Sequence, residues 1–223
     1  MSQEVRLVMA ISADGKIAPG RDRSPHFGPA DAYRFERVCA ESDALVSGAG
    51  TLRASGRTRS IVTPDLVAWR AAHDLPPQPF SVIVTRSGNL DPSLPYFTEQ
   101  PLQRAIATTD ARATEMAADY ADLAELWPCG AEEVEPQRIL AHLAARGHQR
   151  IALLGGGELN ASWFAADLVD RIELTLAPLL FGGRDAPTPI DGDGLSAAGQ
   201  LSLVSCDVVE GCIFVTYDVQ RGV

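Results

Sequence analysis

The chain has 223 residues, enough to bury a full core as one large domain or two small ones. Its formal net charge of −10 argues against a nucleic-acid or anionic-membrane binder, which needs a basic surface. A small anionic ligand, held by a few local cations, stays open.

Val5 to Ile11 is a nearly continuous apolar run, the pattern of a central strand buried on both faces. It ends in the polar turn Ser12 to Ala18, at the carboxyl end of a strand, where open α/β sheets bind ligands. Arg21 to Gly28 reads as a loop, and Pro29 fits the first turn of a helix through Glu41, with Tyr33, Arg37 and Ala40 along one side. Asp43 to Ser47 is the second strand. It runs into Gly48-Ala49-Gly50-Thr51-Leu52-Arg53, a strand that breaks into glycines and re-enters as a helix. A further helix starts at Thr63-Pro64-Asp65 and runs to about Ala72. The extended Pro76 to Pro79 feeds the strand Phe80 to Val84, which ends in the turn Thr85 to Asn89.

Arg104 to Thr108 is a short strand, Asp110 to Asp119 a helix, and Leu123 to Trp127 a short edge strand. Glu135-Pro136 opens a helix through Arg146, with Ile139, Leu140 and Leu143 buried and Gly147 as its stop. Ile151 to Leu154 is then a buried strand, followed by Gly155, Gly156 and Gly157 and a helix carrying Leu159 and Trp163 on one face. Arg171 to Leu180 is another buried strand, Phe181 to Gly199 a long loop. Leu201 to Val208 and Cys212 to Val219 form a closing hairpin around Val209-Glu210-Gly211. The strand–helix alternation predicts an α/β fold with a mixed, mostly parallel sheet and an antiparallel hairpin at the end, in one domain over residues 1–223.

Cys39, Cys129, Cys206 and Cys212 show no metal-ligand spacing, so no metal is expected. Cys206 and Cys212 are placed to face one another across the hairpin, though nothing suggests secretion. The N-terminus lacks a signal-peptide layout and no apolar run has the length of a membrane span, so the expected setting is cytoplasmic.

A strand that turns through glycines into a helix bares backbone N–H groups at the positive end of the helix dipole, which suits a pyrophosphate. A tight turn without ligand is the alternative. Two such turns about a hundred residues apart make the ligand reading stronger. Of the 19 basic residues only Lys16 is a lysine, the one compact ammonium in the protein.

Four stretches in order, Met9 to Ala18, Ser42 to Ala54, Val82 to Pro92 and Leu153 to Gly183, resemble the reductase domain of the riboflavin-biosynthesis deaminase/reductases, of the dihydrofolate-reductase-like superfamily. The resemblance implies a three-layer fold with helices flanking the sheet, NADPH as hydride donor, a small-molecule substrate and a homodimer. The zinc-deaminase signature is absent, so a stand-alone reductase is expected. On this resemblance, Gly155, Gly156 and Gly157 cradle the pyrophosphate, with Glu158 and Leu159 opening the supporting helix. Gly48, Gly50, Thr51 and Leu52 form the other side of the cleft. Thr85, Arg86 and Ser87 meet the adenosine 2′-phosphate, where a guanidinium beside hydroxyls suits a dianion; a solvated turn arginine is the plain alternative.

The same resemblance puts the substrate at Ser12 to Ala18, with Lys16 near the reacting carbon. Asp14 either shapes the turn or serves as an acid. Arg57 and Arg59, or Arg21 and Arg23, are candidates for a substrate 5′-phosphate. The chain departs from the family at three positions: Ser55 stands where an aspartate is usual, Leu154 where a glutamate is usual, and Cys39 where an arginine is usual. The first two remove acceptors from the substrate half. The implied activity is reduction of 5-amino-6-(5-phosphoribosylamino)uracil at the sugar C1. The alternatives are reduction of another small heterocycle such as a pterin, and an NADPH-binding protein without catalysis.

Overall fold

The computed structural model describes residues 3–220. The apolar run at the N-terminus forms β1 (Glu4–Ser12), and Pro29 opens α1 (Pro29–Ala40) after Gly28, whose φ of 109° only glycine adopts freely. Then follow β2 (Ala44–Gly48), α2 (Ala49–Ser55), α3 (Pro64–Ala72), β3 (Phe80–Val84), α4 (Pro95–Thr98), β4 (Arg104–Thr108) and α5 (Asp110–Tyr120). The remainder is β5 (Glu125–Pro128), α6 (Pro136–Ala145), β6 (Arg150–Leu153), α7 (Gly157–Ala165), β7 (Arg171–Ala177), β8 (Gln200–Val209) and β9 (Cys212–Gln220).

The strands make one nine-stranded sheet in the order β5-β4-β3-β2-β6-β1-β7-β9-β8. All pairs from β5 to β7 are parallel, and β9 and β8 are added antiparallel. β1 lies between β6 and β7, which is why its sequence is apolar almost throughout.

Side chains alternate across the sheet and sort the helices into two layers. Val5, Leu7 and Met9 of β1, Ala44 and Val46 of β2, and Ile151 and Leu153 of β6 join Ile139 and Leu143 of α6 and Trp163 of α7 in one core. On the opposite face, Val8, Leu45, Ala152 and Leu154 pack with Val38 and Cys39 of α1 and Leu66 of α3. Ile83 and Ile106 continue that face beneath Leu52, Tyr96, Phe97, Met116 and Tyr120.

Several sequence expectations shift. The edge strand is β5, Glu125–Pro128, rather than Leu123 to Trp127, and α4 has no amphipathic pattern to announce it because it is a single turn. β7 stops at Ala177, before Pro178, which cannot donate to a ladder. In the hairpin Cys212 pairs with Val209 and Cys206 with Val215, so the two thiols do not face each other; all four cysteines are free. The turn itself is Glu210-Gly211, both at positive φ, as a two-residue hairpin requires. In α1 the expected side divides, Tyr33 and Arg37 being exposed and Ala40 buried, and a buried arginine, Arg34, faces the sheet. Among the described residues no helix is long and apolar enough to cross a membrane.

Arg34 ties α1 to the sheet. Its guanidinium donates to the Leu174 carbonyl (2.7 Å), to Glu173 Oε2 (2.7 Å), and to Val215 O and Thr216 Oγ1 (both 3.2 Å). Thr216 Oγ1 also donates to Glu173 Oε2 at 3.0 Å. A buried ion pair that loses one partner strands the other charge, at about 3–5 kcal/mol, whereas replacing both by apolar groups is far milder. Glu173→Ala is therefore expected to lower the unfolding free energy by about 3–5 kcal/mol in urea titrations. The double replacement Arg34→Met with Glu173→Leu is expected to recover most of that loss.

Candidate active site

The carboxyl ends of β6 and β2 lie side by side, and their onward connections diverge: β6 leads through α7 to β7 on one side, β2 leads to β3 on the other. A strand order that reverses in this way opens a crevice above the sheet. The two glycine turns meet there. The Gly48 N–H donates to the Gly155 carbonyl at 2.8 Å, so the turns predicted from sequence form the two walls of one cleft.

The three consecutive glycines have different reasons to be glycine. Gly155 has a φ of 79°, and a Cβ there would fall 2.6 Å from Met9 Cε. A Cβ on Gly157 would lie 2.5 Å from the Thr188 carbonyl oxygen. Protein packing explains both. Gly156 has no such constraint: its nearest neighbour is Thr51 Oγ1 at 3.8 Å. A Cβ on Gly50 would likewise meet only Arg53 Nη2, at 3.9 Å, an ordinary contact. Gly156 and Thr51 are thus neighbours where α7 and α2 begin. None of the described residues accepts the N–H groups of Gly156, Gly157, Glu158 or Leu159. Unpaired N–H groups at a helix N-terminus fit a pyrophosphate. The side chains of Leu52 and Leu159 pack inward, so these two serve through backbone and position.

The next strand ends extend the cleft. Thr85 Oγ1 accepts the Gly88 N–H at 3.2 Å and Ser87 Oγ accepts the Asn89 N–H at 3.2 Å, which shapes the turn that carries Arg86. Arg86 Nη1 lies 2.5 Å from Glu133 Oε1, in the loop after β5. Between them β4 ends in Thr108 and Thr109, both buried, with Thr108 Oγ1 lacking a partner. These two threonines carry no recognisable motif; their only sequence signal is the hydroxyl pair at a strand's carboxyl end.

On the other side, the lysine turn is fastened to the segment after β7. Ser12 Oγ donates to Asp14 Oδ1 at 2.6 Å and accepts the Lys16 N–H at 3.0 Å. Asp14 accepts the Phe181 N–H (3.1 Å) and the Gly182 N–H (2.7 Å). The Ser12 hydroxyl and these two amides hold the Asp14 carboxyl down at about 2. Asp14 is thus an ionised acceptor that shapes the turn. Lys16 Nζ donates to Ala186 O at 3.2 Å, Ile17 N–H to Pro187 O at 2.9 Å, and Asn160 Nδ2 to Pro189 O at 2.7 Å. Arg21 lies 3.3 Å from Asp191 and 3.5 Å from Glu158. The expected free loop from Phe181 to Gly199 is therefore stitched over its first half to the lysine turn and to α7.

The substrate-side candidates separate. Ser55 Oγ donates to backbone at the end of α2, 2.9 Å from Thr51 O and 2.6 Å from Arg57 O. Arg57 is paired with Glu99. Arg59 makes no ion pair with any described residue; its guanidinium lies 5.1 Å over the Phe35 ring. Asp31, in the first turn of α1, was not flagged by the sequence. Burial pushes its carboxyl up, opposed by a hydrogen bond from Thr175 and by the charges of Arg59 and Arg34. Leu154 and Cys39 belong to the same apolar cluster. Arg23 makes no ion pair among the described residues, where no group of three or more metal-ligating side chains occurs either.

Because the Asp14 carboxyl sits below its ordinary value of 3.8, its contribution to stability is complete above that value and is lost as the pH falls toward about 2. The gap in urea midpoint between the wild type and Asp14→Asn is expected to stay constant from neutral pH down to about pH 5 and to narrow below about pH 4. A gap independent of pH would contradict this role.

Comparison with known proteins finds relatives over most of the chain. A relative from Methanothermobacter thermautotrophicus, 2,5-diamino-6-ribosylamino-4(3H)-pyrimidinone 5′-phosphate reductase, is 29% identical over 195 residues, covering 87% of each chain. The protein of that name from Archaeoglobus fulgidus is 29% identical over 186 residues, 83% of this chain and 84% of the other. Among solved structures, a pyrimidine reductase-like protein from Corynebacterium diphtheriae superposes with a TM-score of 0.84 at 21% identity, over 99% of this chain and 93% of the other. The fold is dihydrofolate-reductase-like, with its hairpin strands appended to the parallel sheet. The model of the RibD C-terminal domain matches residues 3–213, so the two glycine turns, the lysine turn and the Arg86 turn all fall within it, and the chain belongs to that family of reductases.

Proposed function

We propose that this reductase takes NADPH as hydride donor and reduces the ribosyl group of a phosphoribosylamino-pyrimidine to a ribityl group. The observation that supports the cofactor half is the run of N–H groups at the start of α7, Gly156 to Leu159, that no described residue accepts, with Thr51 of α2 as neighbour of Gly156. NADPH, when bound, supplies the hydride. This chain's own residues do the rest: α7 and α2 present N–H groups to the pyrophosphate, and Arg86 with Thr85 and Ser87 offers a guanidinium and hydroxyls to the 2′-phosphate. Lys16 is held at the mouth of the cleft by Ala186 O, with two further ammonium hydrogens free to polarise the substrate. Opening of the ribosylamine gives an imine; hydride adds at C1 and a proton at nitrogen, giving the ribitylamine. Arg59, the unpaired cation beside α1, suits the substrate 5′-phosphate better than Arg57, whose charge is met by Glu99.

The pairing of Leu154 with Cys39 in one apolar cluster favours a second reading of the substrate. An apolar wall next to the cleft suits a flatter, less polar heterocycle such as a pterin.

We further infer a homodimer. β8 is an edge strand with all ten residues exposed, among them Leu203 (62%) and Val208 (73%). A long apolar edge of this kind is stable in solution when paired or covered. A second copy meets that need. The four free thiols fit the reducing cytoplasm.

Arg86→Ala is expected to weaken NADPH by about 1.5–3 kcal/mol, the range for a hydrogen bond to a charged group, and to leave NADH nearly unchanged. Equal weakening of both in fluorescence titrations would remove Arg86 from the 2′-phosphate. Lys16→Met is expected to lower turnover far more than NADPH affinity, and full activity would take Lys16 out of the mechanism. Growth of a riboflavin-reductase-deficient strain on this gene distinguishes the pyrimidine from a pterin.

A further inference from the structure

The pair Arg86–Glu133 spans the cleft at a place where nothing in the fold requires it. Strand order puts β4 between β3 and β5, so a residue of the turn after β3 and one of the loop after β5 stand about 10 Å apart at backbone level. Their side chains meet over the end of β4, at 2.5 Å. Beneath lies Thr108, fully buried, with its hydroxyl oxygen unpartnered. The backbone holding Glu133 is tightly set. Gly130 has a φ of 143°, and a Cβ on it would lie 2.1 Å from the Glu133 carbonyl oxygen. The Gly130 N–H donates to Asp110 Oδ1 at 3.3 Å, and the Glu135 N–H donates to Cys129 O at 2.7 Å. The carboxylate of Glu133 is thus delivered to the guanidinium of Arg86 by a loop with little freedom.

Both side chains are about two-thirds exposed, 68% for Arg86 and 70% for Glu133. A pair so exposed is weak and separates at little cost. It therefore does not lock the cleft; it offers a choice of partner. A 2′-phosphate is a dianion that competes with a single carboxylate for the same guanidinium, and it is also repelled by that carboxylate. A ribose 2′-hydroxyl donates to a carboxylate and makes no demand on the guanidinium. The two residues carry opposite preferences, arginine for a 2′-phosphate and an acid for a 2′-hydroxyl.

We infer that Glu133 is a specificity-determining residue that holds down the preference for NADPH over NADH, by occupying Arg86 in the free protein and by facing the 2′-position in the complex. This rests on the assignment of Arg86 to the 2′-phosphate. The selectivity then belongs to the pair, and removing the acid sharpens it instead of abolishing it. Glu133 touches no reacting atom, so its effect is on binding and not on the chemical step.

The test is equilibrium binding, read by quenching of tryptophan fluorescence, of NADPH, NADH and adenosine 2′,5′-bisphosphate to the full chain and to Glu133→Gln, Glu133→Ala and Arg86→Ala. Glu133→Gln and Glu133→Ala are expected to raise the NADPH-to-NADH affinity ratio by roughly fivefold to tenfold, with adenosine 2′,5′-bisphosphate tightened in step. A ratio unchanged or lowered in both Glu133 variants, while Arg86→Ala weakens NADPH and leaves NADH nearly unchanged, overturns the role of Glu133 alone. An Arg86→Ala variant that weakens NADPH and NADH equally overturns the 2′-phosphate assignment, and the inference with it.

Discussion

The hydrogen bond from the Gly48 N–H to the Gly155 carbonyl sits where two parallel strands part company. Up to that point β2 and β6 are in register, Val46 beside Leu153. Beyond it one chain must rise into α2 and the other into α7, and each turn has to let the other pass. Gly155, at positive φ and against Met9, accepts the bond in a conformation a side chain would strain. The local geometry follows from this meeting: α2 and α7 start side by side, and the N–H groups that open α7 find no acceptor among the described residues.

The cleft is built twice over from the same device, and the two halves are not equally free. On the β6 side, Thr188 to Asp191 packs onto Gly157, while Lys16, Ile17 and Asn160 each donate to carbonyls of residues 186–189. That clamp fixes the lysine turn relative to α7, so the one ammonium of the protein is positioned by backbone carbonyls and not by its own loop alone. On the β3–β4–β5 side, the contact between the turn after β3 and the loop after β5 is the exposed ion pair of Arg86 with Glu133.

Much of this was legible in the sequence, for reasons that are local. β1, β2, β3 and β6 are short apolar runs ending in glycine or hydroxyl residues, and pattern alone places them. The two glycine turns could be recognised one at a time; that they touch could not, because adjacency of β2 and β6 is set by sheet order, across a hundred residues of chain. The same holds for Arg86 and Glu133, for Asp14 and Gly182, and for Arg34 and Glu173. The hairpin shows the converse. Its alternation was plain, yet Cys206 and Cys212 do not face each other, since a two-residue turn at Glu210-Gly211 sets the register to Val209 opposite Cys212. Asp31 escaped notice because an acid in the first turn of a helix is ordinary; only its burial against Thr175 makes it unusual.

Two of the three positions at which the sequence departs from the reductases it resembles fall in one place. Leu154 and Cys39 share an apolar cluster with Val8, Val38 and Ala152, on the face of the sheet that α1 covers. A buried acid and a buried base at such positions would satisfy each other or a ligand; a lone one would be strongly destabilising. Changing one without the other leaves a charge unpaired, so the pair is expected to change together, and here both positions are apolar. Burial has pushed the Cys39 thiol up to about 12, so it acts as packing and not as a nucleophile. On the α1 side the charges of Arg59 and Arg34 act instead on the buried carboxyl of Asp31, which burial pushes up and these two cations pull down.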